Sequence, residues 1–152
     1  MKDIVTTVHE LEIMYKPGAY QVNAQKITSS AQAAQLLEQV YNPNTIQCQE
    51  EFNVLYLDQA NRIKGVYKMS RGGIASTTAD TRLILSVALK CLATGIILSH
   101  NHPSGNLTPS ESDKVLTRKL KDACALLDIT LLDHIIITAH SGYYSFADEG
   151  VI

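Results

Sequence analysis

The chain has 152 residues, 45% of them hydrophobic, and its formal net charge is −2 at pH 7. This length suits one compact domain with a hydrophobic core and is too short for two. The near-neutral charge gives no electrostatic footprint for general nucleic-acid binding. No apolar run is long enough to span a membrane or to form a signal peptide, so we expect a cytoplasmic protein.

The first part of the chain predicts an extended lead followed by a helix. Within the lead over residues 1–28, Val8–Tyr15 alternates loosely between apolar and polar side chains and ends at the turn signal Lys16-Pro17-Gly18. A helix is predicted from Ser29 or Ser30 to Tyr41, where Asn42-Pro43-Asn44 stops it. Its apolar face comprises Ala31, Ala34, Leu37, Val40 and Tyr41.

A hairpin and a second helix come next. Phe52–Leu57 is predicted as a strand and Ile63–Met69 as its antiparallel partner, joined by a tight turn over Asp58–Asn61. Ser70–Gly73 is predicted as a loop. Ala79–Ala93 is predicted as a helix with an apolar band. The band comprises Leu83, Ile84, Val87, Ala88 and Cys91.

The last part of the chain predicts three more strands and a third helix. Gly95–Ser99, Ile129–Thr138 and Tyr143–Phe146 are β-prone runs, and the first should be buried. Between the first two strands, Thr108-Pro109-Ser110-Glu111 predicts a helix start, with Thr108 as N-cap and Glu111 closing a capping box. The order of elements predicts a single α/β or α+β domain with a mixed sheet flanked by helices.

The most informative feature is the spacing H-x-H-P-x6-S-x2-D, formed by His100, His102, Pro103, Ser110 and Asp113. His100 and His102 extend the buried strand at a spacing of two, so both imidazoles should face the same side. Asp113 should lie on the apolar face of the following helix, where an unpaired carboxylate is costly to bury. Two neutral histidines and one carboxylate leave a coordination position open on Zn²⁺, as in catalytic zinc sites.

The apolar face of this predicted helix continues from Asp113 through five further residues. They are Leu116, Leu120, Ala123, Cys124 and Leu127.

A zinc hydrolase also needs a proton acceptor, because water must be activated and a proton returned to the leaving group. Glu50 and Glu51 both precede the first hairpin strand and should point to opposite faces, so the residues alone leave both open.

The sequence resembles the RadC family, the bacterial branch of the metallopeptidase clan with an MPN domain and a JAMM motif. The matching strings are Ser99–Gly105 with Pro109, Ser110 and Asp113, then Glu50–Phe52 with Leu55, Leu57 and Asp58, Leu132–Ile136, and Ser145-Phe146. The similarity covers roughly residues 46–150. It implies a cytidine-deaminase-like JAMM/MPN domain over 46–152, with 1–45 as an extension and helix packed on the core.

The resemblance also implies roles for the site residues. His100, His102 and Asp113 would be zinc ligands, Glu50 the general acid/base, and Ser110 a helper that hydrogen-bonds the oxyanion or the bound water. Glu50 is preferred over Glu51 because the family places its glutamate two residues before the phenylalanine.

Two departures limit what the resemblance implies. Nothing in residues 1–45 looks like the helix-hairpin-helix DNA-binding region of longer RadC proteins, so we expect a short form that lacks it. The chain has Thr81-Arg82-Leu83 where the family usually has Pro-Arg-Glu, so no role for that glutamate is inferred. Arg82 remains a candidate substrate contact.

We therefore expect a zinc-dependent metallohydrolase, most plausibly a peptidase or isopeptidase that acts on a peptide or protein. The alternatives are a repair-associated or recombination-associated protein that acts on or near nucleic acid, and a non-catalytic MPN interaction module. We expect no membrane partner, and the oligomeric state is left open.

Several other polar or aromatic residues lie outside this motif. His134 is either support for the metal ligands or a core histidine, while His9 and His140 are expected to be inert. The aromatic residues Tyr143, Tyr144 and Phe146 are expected to close the sheet. The three cysteines, Cys48, Cys91 and Cys124, lack C-x-x-C spacing and are expected to be buried free thiols.

Overall fold

The computed structural model describes residues 26–72 and 79–152, and in them three helices flank a five-stranded sheet. The helices are α1 (Ser30–Val40), α2 (Thr81–Lys90) and α3 (Glu111–Ala125). The strands are β1 (Glu51–Leu57), β2 (Ile63–Arg71), β3 (Gly95–Asn101), β4 (Thr130–Ile137) and β5 (Tyr143–Ser145). The predicted α/β fold with a mixed sheet flanked by helices is confirmed. The predicted lead over residues 1–28 lies almost entirely outside the described residues.

The strand order explains why one edge of the sheet can carry a site. The order is β2-β1-β3-β4-β5, in which only β3 and β4 are parallel. The end of β3 therefore lies beside the end of β4, and the start of the antiparallel strand β1 lies at the same edge. The helix α3 begins after the loop that leaves β3, so residues from four elements converge there.

Helices cover both faces of the sheet. Four residues of α1, Ala33, Ala34, Leu37 and Val40, are buried, and three of them pack with Leu55, Leu57 and Ile97 in one core. On the other face, residues of α2 and α3 pack with Val54, Tyr56 and Leu98. All seven residues of β1 are buried because the strand is central and covered on both sides.

Helix α2 is shorter than the sequence predicts. It begins after the N-cap Asp80, whose side chain accepts from the Arg82 N–H, and ends at Lys90 instead of Ala93. Ile84 and Ala88 of the predicted band are buried, but Leu83 is 46% exposed. In α1 the prediction was likewise wrong for Ala31, which is exposed, because Ala33 occupies the buried face instead.

Strand β2 runs two residues past its predicted end. Ser70 and Arg71 were predicted in a loop, but they pair with Phe52 and Glu51 of β1. An ion pair between Arg71 Nε and Glu51 Oε1 at 3.3 Å accompanies this pairing. The extra pairing fixes the start of β1 from the side opposite to β3.

The start of α3 also differs from the prediction. The N-cap is Ser110 and not Thr108, and the capping box joins Ser110 to Asp113 instead of involving Glu111. The Thr108 N–H instead donates to Asn106 Oδ1 within the preceding loop. Leu127, predicted on the apolar face, lies beyond the helix and is 40% exposed.

The cysteines were predicted to be buried free thiols, and the predicted burial is correct for one of them only. Cys124 is buried, Cys91 is half-buried and Cys48 is exposed. Cys48 lies in the turns that follow α1, where the backbone is at the surface. All three thiols are free. Among the described residues, no helix combines the length and the apolar character needed to cross a membrane.

Candidate metal centre

Three side chains converge at the carboxyl end of β3. His100 lies within β3, His102 follows its last residue, and Asp113 lies in the first turn of α3. Each offers one ligand atom, and these atoms lie within 4.8 Å of one another. The two Nε2 atoms are 2.9 Å apart, and His100 Nε2 lies 3.4 Å from Asp113 Oδ1. Nitrogen and oxygen ligands at such separations can share one small cation.

The hydrogen bond made by His102 Nδ1 leaves the Nε2 of the same ring available to a divalent metal. His102 Nδ1 lies 2.6 Å from the carbonyl oxygen of Asn106. Because a carbonyl oxygen only accepts, Nδ1 carries a hydrogen, and in the neutral form of the ring Nε2 keeps its lone pair. A neutral imidazole pair with a carboxylate is a donor set that Zn²⁺ takes in catalytic sites.

The environment of Asp113 keeps its carboxylate ionised. Burial alone would raise the pKa of Asp113, but hydrogen bonding and attraction from His100 and hydrogen bonds from Ser110 lower it below its usual range. The Ser110 N–H and Oγ–H both donate to Oδ2 at 2.7 Å. This leaves Oδ1 directed toward His100.

Ser110 therefore serves as the cap of the helix that carries Asp113. Its Oγ accepts from the Asp113 N–H at 3.1 Å while its own hydrogen goes to Oδ2. The side chain is thus committed to Asp113 in two directions. A contact between Ser110 and an oxyanion stays a prediction.

We expect Ser110→Ala to lower the free energy of unfolding of the metal-free protein by about 1 kcal/mol, because both contacts of the Ser110 hydroxyl with Asp113 are lost. Ser112→Ala, at an exposed position in the same turn, is the matched control. It should change stability by less than about 0.5 kcal/mol. Urea unfolding measures both variants, and equal losses would contradict the capping role.

Strand alternation separates the two glutamates. Phe52 pairs with His100, and their rings stack with centroids 6.0 Å apart on the face covered by α2 and α3. Glu50 is half-buried and directly precedes β1, so if the alternation continues one residue beyond the strand, Glu50 is expected on the same side as His100. Glu51 falls on the opposite side. It is buried there, paired with Arg71 and hydrogen-bonded by the Thr45 hydroxyl at 3.2 Å.

Comparison with known proteins places the chain in a family. Residues 27–151 match the family model described as RadC-like JAB domain. The chain belongs to this family. A UPF0758 protein from Flavobacterium johnsoniae is 43% identical over 148 residues, which cover 97% of this chain and 63% of that relative. The RadC resemblance predicted from the motifs is confirmed.

Other relatives match in the same way. A UPF0758 protein from Porphyromonas gingivalis is 49% identical over 104 residues, covering 68% of this chain and 46% of the relative. One from Acidovorax ebreus is 35% identical over 142 residues, covering 93% of this chain and 58% of the relative. The RadC-like chain thus spans from about half to 63% of the length of these curated relatives.

Asn101, between the two histidines of this RadC-like JAB domain, is a site residue that the sequence reasoning missed. The fully buried side chain points away from them. Its Oδ1 accepts from the Glu51 N–H at 2.7 Å, and its Nδ2 donates to the carbonyl oxygens of Ile46 and Gln49 at 2.7 and 2.8 Å. These contacts hold both peptide groups that flank Glu50. An asparagine inside an apolar strand was the available signal.

His134 lies behind the ligands and not among them. The ring is fully buried, stacks on Phe146 with centroids 4.7 Å apart, and contacts His100 Nδ1 through its own Nε2 at 2.8 Å. Burial and the neighbouring His100 hold the pKa of His134 well below its usual value, so the ring is neutral. His134 is therefore a core histidine, and it also contacts a predicted metal ligand.

The remaining predicted residues lie apart from the centre. The Arg82 guanidinium pairs with the Asp80 carboxylate at 2.9 Å, and a substrate contact for Arg82 stays a prediction. His140 is exposed and contacts Gln47. Tyr143 and Tyr144 lie in β5 at the edge of the sheet, and Phe146 is buried directly after it. His9 lies outside the described residues.

Proposed function

We propose that this RadC-like JAB domain is a zinc-dependent hydrolase that cleaves amide bonds in peptides or isopeptides. One observation carries the proposal. The ligand atoms of His100, His102 and Asp113 lie within 4.8 Å of one another, at the edge of the sheet where β1 begins directly after the half-buried Glu50. The amide substrate is inferred from the metallopeptidase clan that the motif resembles.

The three ligands would hold Zn²⁺, which when bound polarises a carbonyl group and lowers the pKa of a water molecule. Glu50 would accept a proton from the attacking water at a carboxylate oxygen and return it to the leaving nitrogen. Asn101 would keep the backbone around Glu50 in place during this transfer through its contacts with Gln49 and Glu51. Ser110 would orient the carboxylate of Asp113.

The first test is the metal content of the purified protein. We expect about one zinc per chain at neutral pH, because one ring nitrogen each of His100 and His102 and the Asp113 carboxylate are available as ligands. His102→Ala should lose the metal. His140→Ala, an exposed histidine in another part of the structure, should keep it. Elemental analysis with dialysis against a zinc buffer makes the comparison, and a wild type without zinc would refute the proposal.

The second test is a screen of the zinc-loaded protein on peptides, isopeptide-linked conjugates, and single-stranded and branched DNA. Hydrolysis counts only if chelation and Glu50→Gln both remove it, since a contaminating enzyme would not respond to the variant. Cleavage of amides alone would support the proposal. Cleavage of DNA alone, or of no substrate by a protein that binds zinc, would overturn the substrate class or the enzymatic role respectively.

A further inference from the structure

We propose that Thr117 is a positioning residue that determines, through His134, which nitrogen of His100 carries a hydrogen. Thr117 lies one turn after Asp113 on α3, and its hydroxyl contacts the Asp113 carbonyl oxygen and His134 Nδ1. This hydrogen-bond relay from Thr117 through His134 to His100 needs no metal. Its consequence for zinc rests on the proposed function.

The Thr117 hydroxyl makes two hydrogen bonds. Its Oγ1 lies 2.6 Å from the carbonyl oxygen of Asp113 and 2.7 Å from His134 Nδ1. A carbonyl oxygen cannot donate, and a hydroxyl has only one hydrogen, so that hydrogen goes to Asp113. Thr117 Oγ1 must then accept from His134. The hydrogen of the neutral His134 ring is therefore on Nδ1.

The position of the hydrogen on His134 determines its position on His100. His134 Nε2, now without a hydrogen, lies 2.8 Å from His100 Nδ1. It can only accept, so His100 must donate from Nδ1. In the neutral form of the His100 ring, which is the form that binds a metal, the lone pair is then on Nε2, the nitrogen that lies near His102 and Asp113. The carbonyl group of one predicted ligand thus sets the tautomer of another.

Burial keeps water away from this hydrogen-bond relay. Thr117 and His134 are 0% exposed and His100 is 1% exposed, so water has no access to replace a missing partner. The Phe146 ring stacks on His134 and the Phe52 ring stacks on His100, which restricts rotation of both imidazoles. His102 differs, since the backbone carbonyl of Asn106 orients it directly and its side chain is 17% exposed.

The test uses the full chain and two substitutions at position 117. Thr117→Val is nearly isosteric and removes the hydroxyl, whereas Thr117→Ser keeps it. In metal-free wild type and in Thr117→Ser, ¹⁵N spectra of the histidine rings should show both His100 and His134 with the hydrogen on Nδ1. In Thr117→Val the two rings should populate the Nε2–H form. A merely structural role would change stability without changing the tautomer.

Zinc affinity gives the second readout, in a competition titration with a coloured chelator. Thr117→Val should bind zinc about 10–100-fold more weakly, as expected when an outer partner of a ligating histidine is lost. Thr117→Ser should restore wild-type affinity. Wild-type tautomers with the hydrogen on His134 Nε2 would overturn the inference even if Thr117→Val failed to fold.

The two proposals fail in different ways. A wild type that binds no zinc but shows the Nδ1–H tautomers, lost in Thr117→Val, would refute the metal site and support the relay. A wild type that binds zinc and keeps both tautomers and affinity in Thr117→Val would support the metal site and refute the relay.

Discussion

Glu50→Gln is expected to lower the turnover of an amide substrate by about 10²–10⁴-fold, the contribution that general acid–base catalysis typically makes. Glutamine has nearly the same size but can neither accept nor return a proton. Because Glu50 is not one of the three clustered ligand residues, the variant should keep wild-type zinc stoichiometry. Steady-state kinetics on the substrate found by the screen, together with zinc analysis of the same sample, check both expectations.

The neighbouring glutamate provides the matched control. Glu51 is 3% exposed, and its carboxylate contacts Arg71 at 3.3 Å and Thr45 at 3.2 Å. Glu51→Gln should therefore lower the free energy of unfolding by about 1–3 kcal/mol, the cost of a buried group that loses a partner. Turnover per folded molecule should remain. If Glu51→Gln lost turnover and Glu50→Gln did not, the assignment of the base would be reversed.

The sequence predicted the parts of the site that local patterns encode. The apolar run Gly95–Ser99 predicts a strand, and a spacing of two predicts that His100 and His102 face the same side. Both statements depend only on residues close together in the chain. The hairpin of β1 and β2 was predictable for the same reason, since its strands are joined by a short turn.

Contacts between distant parts of the chain were not predictable. Thr117 meets His134 across 17 positions, His100 meets His134 across 34, and Asn101 meets Glu51 across 50. No periodicity links such pairs, because the sheet order and the packing of α3 bring them together. The sequence could mark these residues only as polar side chains in apolar segments.

The helix start of α3 shows a different kind of difficulty. Thr108 and Ser110 both have the chemistry of an N-cap, and each is followed three residues later by an acidic side chain. Propensity cannot choose between them. The structure uses Ser110, and this choice places the carboxylate of Asp113 in the first turn, beside His100. Tertiary context thus decides between two locally adequate caps.

Asp113→Asn is expected to weaken zinc binding by more than the 10–100-fold that loss of an outer hydrogen bond costs. The amide removes the negative charge of the ligand set. With its oxygen held by the Ser110 N–H and Oγ–H, the amide nitrogen would face His100 Nε2 and would donate to that nitrogen in the neutral form of the ring. The variant would therefore satisfy its own polar groups in place of a cation, and it should fold.

Asp122→Asn, at an exposed position on the same helix, removes the same charge from the chain and should bind zinc like the wild type. A competition titration gives both affinities, and circular dichroism verifies that α3 remains folded in each variant. Equal affinities of Asp113→Asn and wild type would mean that zinc does not contact Asp113. Because the two substitutions change net charge equally, a selective loss in Asp113→Asn can only reflect the position of that carboxylate beside His100 and His102.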